Sequence, residues 1–261
     1  MLSLTEYKEV FLAYLQEEVK VMEPVNLYHP VAYILELGGK RIRPVLVMLG
    51  ASAFQEDVKK ALPAAAAVEV FHNFTLLHDD IMDAAPLRRG QLTVHEKWDA
   101  NTAILSGDVM MILAIQFLEK YEGVTYKRLT TLFNRTAIEV CEGQQYDMDF
   151  EKREEVSVEE YVEMIRLKTS VLVAAALKMG AIIAESSEED AQKIYDFGLN
   201  LGIAFQLQDD YLDVYGDAAT FGKQVGGDII ENKKTYLYIQ ALKNVNAEER
   251  KVLLDLYSQN L

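Results

Sequence analysis

Cysteine is almost missing from this chain of 261 residues: Cys141 stands alone. An intrachain disulfide is thereby ruled out, and a reducing compartment fits. Proline is scarce too, with five in all, and alternating Val/Ile/Thr runs are few, so little in the chain reads as strand. No stretch offers the roughly 18 uninterrupted apolar residues of a membrane span. The N-terminus, MLSLTEYKEVFLAYLQEEVK, carries a charge every few positions and lacks the apolar centre of a signal peptide, so the cytoplasm is the expected location. Positive charge is in deficit. Against 41 Asp and Glu there are 26 Lys and Arg, a net −15, which argues against a nucleic-acid partner, because phosphate backbones need a basic surface.

What is present points to helices. Half the residues are hydrophobic, enough for a substantial core, and segments rich in Ala, Leu, Glu and Lys dominate. Helical periodicity is predicted over 4–22, 30–37, 44–54, 57–84, 93–120, 124–149, 157–184, 188–215 and 234–259, the last with a break at 244–246. No repeat, low-complexity tract or linker divides the chain, so an all-α protein with a single domain over 1–261 is expected. Two polar loops stand out, Ala84–Gln91 and the glycine-rich Gly216–Asn232.

Each of those loops follows a cluster of aspartates at the end of an apolar helix. The first is His78-Asp79-Asp80-Ile81-Met82-Asp83; the second is Gln206-Leu207-Gln208-Asp209-Asp210-Tyr211-Leu212-Asp213. Both read D-D-x-x-D. The first and last aspartates share a helix face and repel, and carboxylates near a helix C-terminus oppose the macrodipole. A single such cluster on a solvated face is ordinary. Two of them, embedded in apolar sequence and breaking the same local rules, mark a functional site. All-oxygen donors without nearby Cys suit a hard cation, and magnesium commonly binds through one or two carboxylates plus substrate phosphates. Carboxylates on two helices could therefore hold a small Mg²⁺ cluster gripping a diphosphate.

Basic residues lie beside these motifs. Lys40, Arg41 and Arg43 fall in Gly-Gly-Lys-Arg-Ile-Arg-Pro, Arg88 and Arg89 follow the first cluster, and Lys223, Lys233 and Lys234 follow the second. Singly each reads as a solvated charge. Clustered after glycines and aspartates, they suggest two anion pockets, one bridged by metal and one made of basic side chains alone.

Seven segments in order, GGKRIRP (38–44), LLHDDIMD (76–83), LRRG (87–90), GQQYD (143–147), KTS (168–170), FQLQDDYLD (205–213) and GKQVGGDI (222–229), resemble the trans-type isoprenyl diphosphate synthases, the farnesyl and geranylgeranyl group. The resemblance covers about three quarters of the chain. It implies an antiparallel helical bundle around a deep central cavity, the isoprenoid synthase type, usually as a homodimer. It implies condensation of isopentenyl diphosphate with an allylic diphosphate of C5–C15, with three Mg²⁺ ions when substrate is bound. By position, Asp79, Asp83 and Asp209 become metal ligands, supported by Asp80, Asp210 and Asp213. Lys40, Arg43, His72 and Arg89 hold the non-allylic diphosphate. Arg88, Lys168, Lys223 and Lys233 hold the allylic one, and Gln206, Thr169 and Gln144 line the reacting carbons. Lys168, Thr169, Gln206, Arg88 and Lys223 are the catalytic set. Members of the family usually continue for one or two helices past the point where this chain stops at Leu261, so the resemblance also implies that C-terminal helices are lacking.

Two readings of product length pull apart. The stripe shared with Asp79 and Asp83 runs back through Thr75, His72, Val68, Ala65 and Ala61, and Phe74 lies about 140° from it at about 100° per residue. The resemblance nevertheless marks the positions four and five before the first aspartate, Thr75 and Phe74, as chain-length stops. Small Thr75 beside Phe74 favours geranylgeranyl diphosphate, with farnesyl or longer diphosphates as rivals. Three other readings fit less. A class I terpene cyclase usually carries an Asn/Ser/Glu-type second motif and needs no separate basic pocket. A di-iron protein needs two E-x-x-H motifs, and only Glu69–His72 supplies one; it reads as helix surface around a substrate-facing histidine. A non-catalytic subunit of a heteromeric synthase would tolerate loss of aspartates that are intact here.

Overall fold

The structure, a computed structural model, describes residues 2–153, 155–216, 226–230 and 232–257. Its order is α1 (Leu4–Glu18), α2 (Val25–Glu36), α3 (Ile42–Ala53), α4 (Val58–Met82), β1 (Leu87–Arg88), β2 (Gln91–Leu92), α5 (Val94–Lys97), α6 (Ala100–Leu118), α7 (Gly123–Glu151) and α8 (Val158–Ile165). A π-helical turn (Arg166–Ser170), α9 (Val171–Ile183), α10 (Glu188–Tyr215), α11 (Gly227–Ile230), α12 (Tyr236–Asn244) and α13 (Ala247–Tyr257) follow. The all-α expectation is met. The chain forms two compact units, one of residues 1–134 with 175–195 and one of residues 135–174 with 196–261.

In the first unit α4 is the central rod. Asp57 caps it, accepting from Lys59 N at 3.0 Å, and Ala64 to Ala67 are all fully buried. Small side chains let neighbouring helices come close on every side there, and α6 and α3 pack along it. Two glycines do the same where α3 meets α9. A Cβ on Gly50 would lie 2.3 Å from the Leu177 carbonyl oxygen, and one on Gly180 would lie 2.2 Å from that of Val47. Tyr7, Phe11, Met48, Phe71, Met110 and Phe133 fill the interior, each worth about 1.5–3 kcal/mol when fully buried.

The second unit has its own core of Phe150, Tyr161, Met164, Ile165, Tyr238, Ile239 and Leu242. Its helix α8 opens with a capping box, Ser157 Oγ accepting from Glu160 N at 3.1 Å and Glu160 Oε2 from Ser157 N at 2.9 Å.

Four departures from the sequence reading have physical causes. The span 93–120 is two helices, because Asp99 starts a new one by accepting from Thr102 N at 2.9 Å. The loop 84–91 contains a hairpin pairing Leu87 with Leu92 and Arg88 with Gln91. Its turn residues Arg89 and Gly90 both have positive φ, 54° and 76°, as a type I′ turn requires. The span 157–184 is interrupted by the π-turn. Finally, α6 is long and apolar enough, by length and composition, to cross a membrane, with a window of mean hydropathy 1.5. Counting uninterrupted apolar residues missed it because Asn101, Thr102, Ser106 and Asp108 break the run without lowering the mean far. Its buried face, with Ser106 Oγ donating to the Leu27 carbonyl at 3.0 Å, serves the core of the first unit.

Candidate active site

The C-terminal turn of α4 carries the first acidic motif, and its three aspartates have different surroundings. Asp80 is 2% exposed and gripped by Arg88, whose Nε donates to Oδ1 and Oδ2 at 2.9 and 2.8 Å and whose Nη2 donates to Oδ1 at 2.7 Å. A forked guanidinium is the partner that can offset a buried carboxylate. Asp79 is half-buried and Asp83, the C-cap, is exposed. The hairpin sends its two arginines to different places. Arg88 turns to Asp80, while Arg89 Nη1 donates to the Gly38 carbonyl, bringing the LRRG and GGKRIRP segments together. Gly39 makes room for this: a Cβ there would lie 2.8 Å from the Arg89 guanidinium, and its φ of +119° disfavours side chains in any case. Lys8 Nζ braces the same loop by donating to the Gly39 carbonyl at 3.1 Å.

The GGKRIRP segment divides its cations between structure and site. Arg41, in the left-handed region at φ 54°, turns inward, with Nη1 on the Glu69 carboxylate and Nη2 on the Leu35 carbonyl. Glu69 also accepts from Asn73 Nδ2 at 3.1 Å. The E-x-x-H glutamate is therefore not helix surface, as the sequence suggested, but a buried counter-ion only 3% exposed. Lys40 is exposed. Arg43 Nη1 lies 3.1 Å from His72 Nε2, and its buried Nε has no hydrogen-bond partner. A buried donor left unsatisfied is costly and is what an anion pocket holds in readiness.

His72 stands among Arg43, Arg89, Arg88 and Arg41. Desolvation first, and those cations next, hold its imidazole well below the usual histidine range, so it is neutral at pH 7 and Nε2 can accept from Arg43. The unfolded chain takes up this proton at about pH 6.5, before the folded chain does. Stability contributed by the neutral ring is thus present above that value and is lost as pH falls below it. Thermal melts from about pH 7.5 down to 5 are expected to show a falling Tm, with a shallower fall in His72→Gln. An identical slope in the two proteins would remove His72 as the cause.

In the second unit the KTS segment lies on the π-turn. Such turns recur at functional sites, and this one is pinched by two glycines. A Cβ on Gly143 would lie 2.2 Å from Lys168 N, and one on Gly202 would lie 2.6 Å from Ser170 Cα. Lys168 Nζ donates to Asp147 of the GQQYD segment, and Gln144 lies half-buried on the same helix. Thr169 Oγ1 donates to Gln206 Oε1 at 3.2 Å, and Gln206 Nε2 donates to Asp210 Oδ1 at 3.1 Å. Tyr161 OH donates to the other oxygen of Asp210. Burial pushes the Asp210 carboxyl up, against hydrogen bonds from Tyr161, Gln206 and the Tyr236 backbone that pull it down. Burial and the Asp210 charge push the Tyr161 phenol up, so it remains a donor. Asp213 is buried and accepts from Asp228 N at 3.1 Å, whereas Asp209 is half-buried. Lys168, Thr169, Gln206, Asp209, Asp210 and Lys233 line one polar cleft of about 200 Å³, together with Asp147, Asp228 and Lys234.

The two acidic motifs thus share a pattern. The middle carboxylate of each is sunk and satisfied by protein, and the first is half-exposed. Among the described residues no three His, Cys, Asp or Glu side chains gather closely enough to hold a metal by themselves. Oxygen donors in such partial sets fit magnesium, which takes one or two carboxylates and completes its shell with phosphate and water. Lys223 lies outside the described residues. Sequence reasoning missed Tyr161 and Asp147: Tyr161 stands alone in its helix, and Asp147 was visible only as the last letter of GQQYD. The chain-length pair is also placed. Thr75 Oγ1 donates to the His72 carbonyl at 2.8 Å, and the half-buried Phe74 ring stacks edge-on against His78 with centroids 4.7 Å apart.

Comparison with known proteins agrees with this chemistry. The family model for polyprenyl synthetase matches residues 24–261. The geranylgeranyl diphosphate synthase of Methanosarcina mazei is 42% identical over 249 residues, 95% of this chain and 75% of that protein. The geranylfarnesyl diphosphate synthase of Natronomonas pharaonis is 37% identical over 257 residues, 92% of this chain and 75% of that one. Among solved structures, a geranylgeranyl pyrophosphate synthase is 55% identical with a TM-score of 0.96, covering 100% of this chain and 80% of its own. The geranylgeranyl pyrophosphate synthetase of Pyrococcus horikoshii is 36% identical with a TM-score of 0.91, covering 97% and 78%. Acidic motifs with sunken middle aspartates, cations gathered beside them and a match running almost end to end have one common source: the chain belongs to the polyprenyl synthetase family.

Proposed function

We propose that this protein is a magnesium-dependent prenyltransferase that condenses isopentenyl diphosphate with an allylic diphosphate, geranylgeranyl diphosphate being its main product. The observation that carries the reading is the gathering of cations around an unsatisfied donor: Arg43 lies against His72, Arg89 and Arg88 act on the same imidazole, and the buried Arg43 Nε has no partner. In this reading Lys40, Arg43, His72 and Arg89 bind the five-carbon diphosphate. Arg88, Lys168, Lys223 and Lys233 bind the allylic one. Asp79, Asp83 and Asp209 ligate three Mg²⁺ ions, with Asp80, Asp210 and Asp213 in support. The metal supplies Lewis-acid stabilisation of the charge that builds on the leaving diphosphate. Gln206, held between Thr169 and Asp210, keeps its amide oxygen on the Thr169 hydroxyl. The hydroxyl's lone pairs and the Lys168 carbonyl then face the allylic cation, and Gln144 adds to the polar lining. Excluding water from this place protects the cation until it is captured.

The unbroken family match across 24–261 supports treating both units as one catalytic domain. A face of α6 exposing Ile104, Leu105 and Ile112 supports a homodimer, and a location in the cytoplasm fits the lone, exposed Cys141. The test is incubation of isopentenyl diphosphate and Mg²⁺ with C5, C10 and C15 primers, reading product length. A C20 diphosphate is expected. A product stopping at C15 with excess isopentenyl diphosphate overturns the length. A hydrocarbon released from farnesyl diphosphate alone makes the protein a cyclase, and bisphosphonate binding without turnover makes it a non-catalytic subunit.

A further inference from the structure

We infer that His78 and Gly107 set where the Phe74 ring stands, and so act as determinants of product length; the inference rests on the prenyl-extension reading and on Phe74 as a stop. Phe74 and His78 are one turn apart on α4, their rings edge-on with centroids 4.7 Å apart at 63°. On its other side Phe74 meets Phe71 at 5.7 Å. Phe71 is fully buried and is itself held edge-on by Phe133 at 5.3 Å. One neighbour of Phe74 is therefore fixed by the core, and the imidazole of His78 is the neighbour that can be altered.

His78 owes its position to α6. A Cβ on Gly107 would lie 2.2 Å from His78 Nε2, 2.6 Å from Cδ2 and 3.2 Å from Cε1. The ring occupies the notch that the missing side chain leaves, with Nε2 3.4 Å from the Ile104 carbonyl oxygen. Glycine inside a helix costs about 1 kcal/mol relative to alanine. Gly107 has no positive φ to account for it, so the imidazole seat is its physical reason. The contacts run in series: Gly107 admits His78, His78 abuts Phe74, and Phe74 limits how far a growing chain reaches.

Removing the imidazole gives the Phe74 ring room to swing back and lowers the floor of the tail pocket. A methyl group at position 107 pushes the imidazole off α6 and onto Phe74, raising the floor. These two changes should move product length in opposite directions. His78→Ala is expected to raise the ratio of products longer than C20 to C20 by about tenfold, the lower end of what one altered contact in a hydrophobic pocket is worth. Gly107→Ala is expected to raise C15 relative to C20, and to lose that effect in the His78→Ala background, where the methyl meets empty space. His78→Ala should add nothing to Phe74→Ala.

Product chromatography on the three single variants, the two double variants and the unsubstituted protein, with melts to confirm folding, decides the matter. Wild-type product lengths in both His78→Ala and Gly107→Ala, alongside longer products from Phe74→Ala, overturn the inference and leave the function standing. Unchanged length in Phe74→Ala overturns the stop itself and the inference with it. Absence of any prenyl diphosphate from the unsubstituted protein overturns the function.

Discussion

Asp79→Asn is expected to lower kcat by about 10²–10³-fold, the loss seen when one preorganised group that stabilises transition-state charge is removed, while the folded protein becomes no less stable. The two halves have separate causes. Asp79 and Asp83 lie four residues apart at the C-terminal end of α4, where they repel each other and face the negative end of the helix dipole. Neutralising Asp79 relieves both, worth about 0.3–1 kcal/mol at a helix end. The amide keeps the shape of the carboxylate but, on the proposed reading, withdraws a charge that would hold magnesium against a departing diphosphate, so the loss is expected on the chemical step. Turnover at saturating Mg²⁺ and a melt without metal give the two readings. Undiminished kcat would remove Asp79 from the site, and a large drop in Tm would assign it to the fold. Asp80→Asn should behave differently, because Arg88 then loses the carboxylate it grips.

The second large effect is on stability. Arg41→Met is expected to cost about 3–5 kcal/mol, the penalty for leaving one member of a buried ion pair uncompensated. Glu69 is 3% exposed and Arg41 5%, and with the guanidinium gone the carboxylate keeps only Asn73 among these partners. For a chain of this size that corresponds to a Tm lower by on the order of 10 °C. The double variant Arg41→Met/Glu69→Leu should recover most of the loss, since matched apolar groups commonly replace a buried pair at little cost. Denaturant melts on these proteins and on Glu69→Leu alone close the double-mutant cycle and measure the coupling directly. A loss below about 1 kcal/mol for Arg41→Met would show that the pair is not what orders the loop before α3. The same variant should raise the KM for isopentenyl diphosphate, because Arg41 anchors the backbone from which Lys40 and Arg43 project.

The contrast between these residues shows what a sequence can disclose. Asp79 and Asp209 were legible because repeating D-D-x-x-D violates helix electrostatics twice, a signal carried by neighbours in the chain. Arg41 was read with Lys40 and Arg43 as one basic cluster, and nothing local says which of the three turns inward. That depends on a left-handed φ and on Glu69, 28 positions away. Tyr161 was hidden for the same reason: its hydrogen bond reaches Asp210 across 49 positions. Helix identities followed from periodicity, and the break at 244–246 appeared as Asn246 Oδ1 accepting from Glu248 N and Glu249 N at 3.0 Å each. The π-turn was missed because Val171–Ile183 beyond it is buried on nearly every face, so a slip in phase shifts no visible stripe.

That added residue has a consequence for how the protein can change over time. An α-helix turns about 100° per residue, so Arg166–Ser170 acts as a slipped gear between α8 and α9. Upstream, Tyr161 aims at Asp210; downstream, nearly every side chain from Val171 to Ile183 is buried. Because the two stretches are indexed separately, substitutions that retune the oily interior of α9 need not rotate the phenol off its carboxylate. A one-residue deletion within the turn would re-mesh them and swing Tyr161 through about a quarter of a revolution. Drift by substitution is open to this segment, and drift by insertion or deletion is closed.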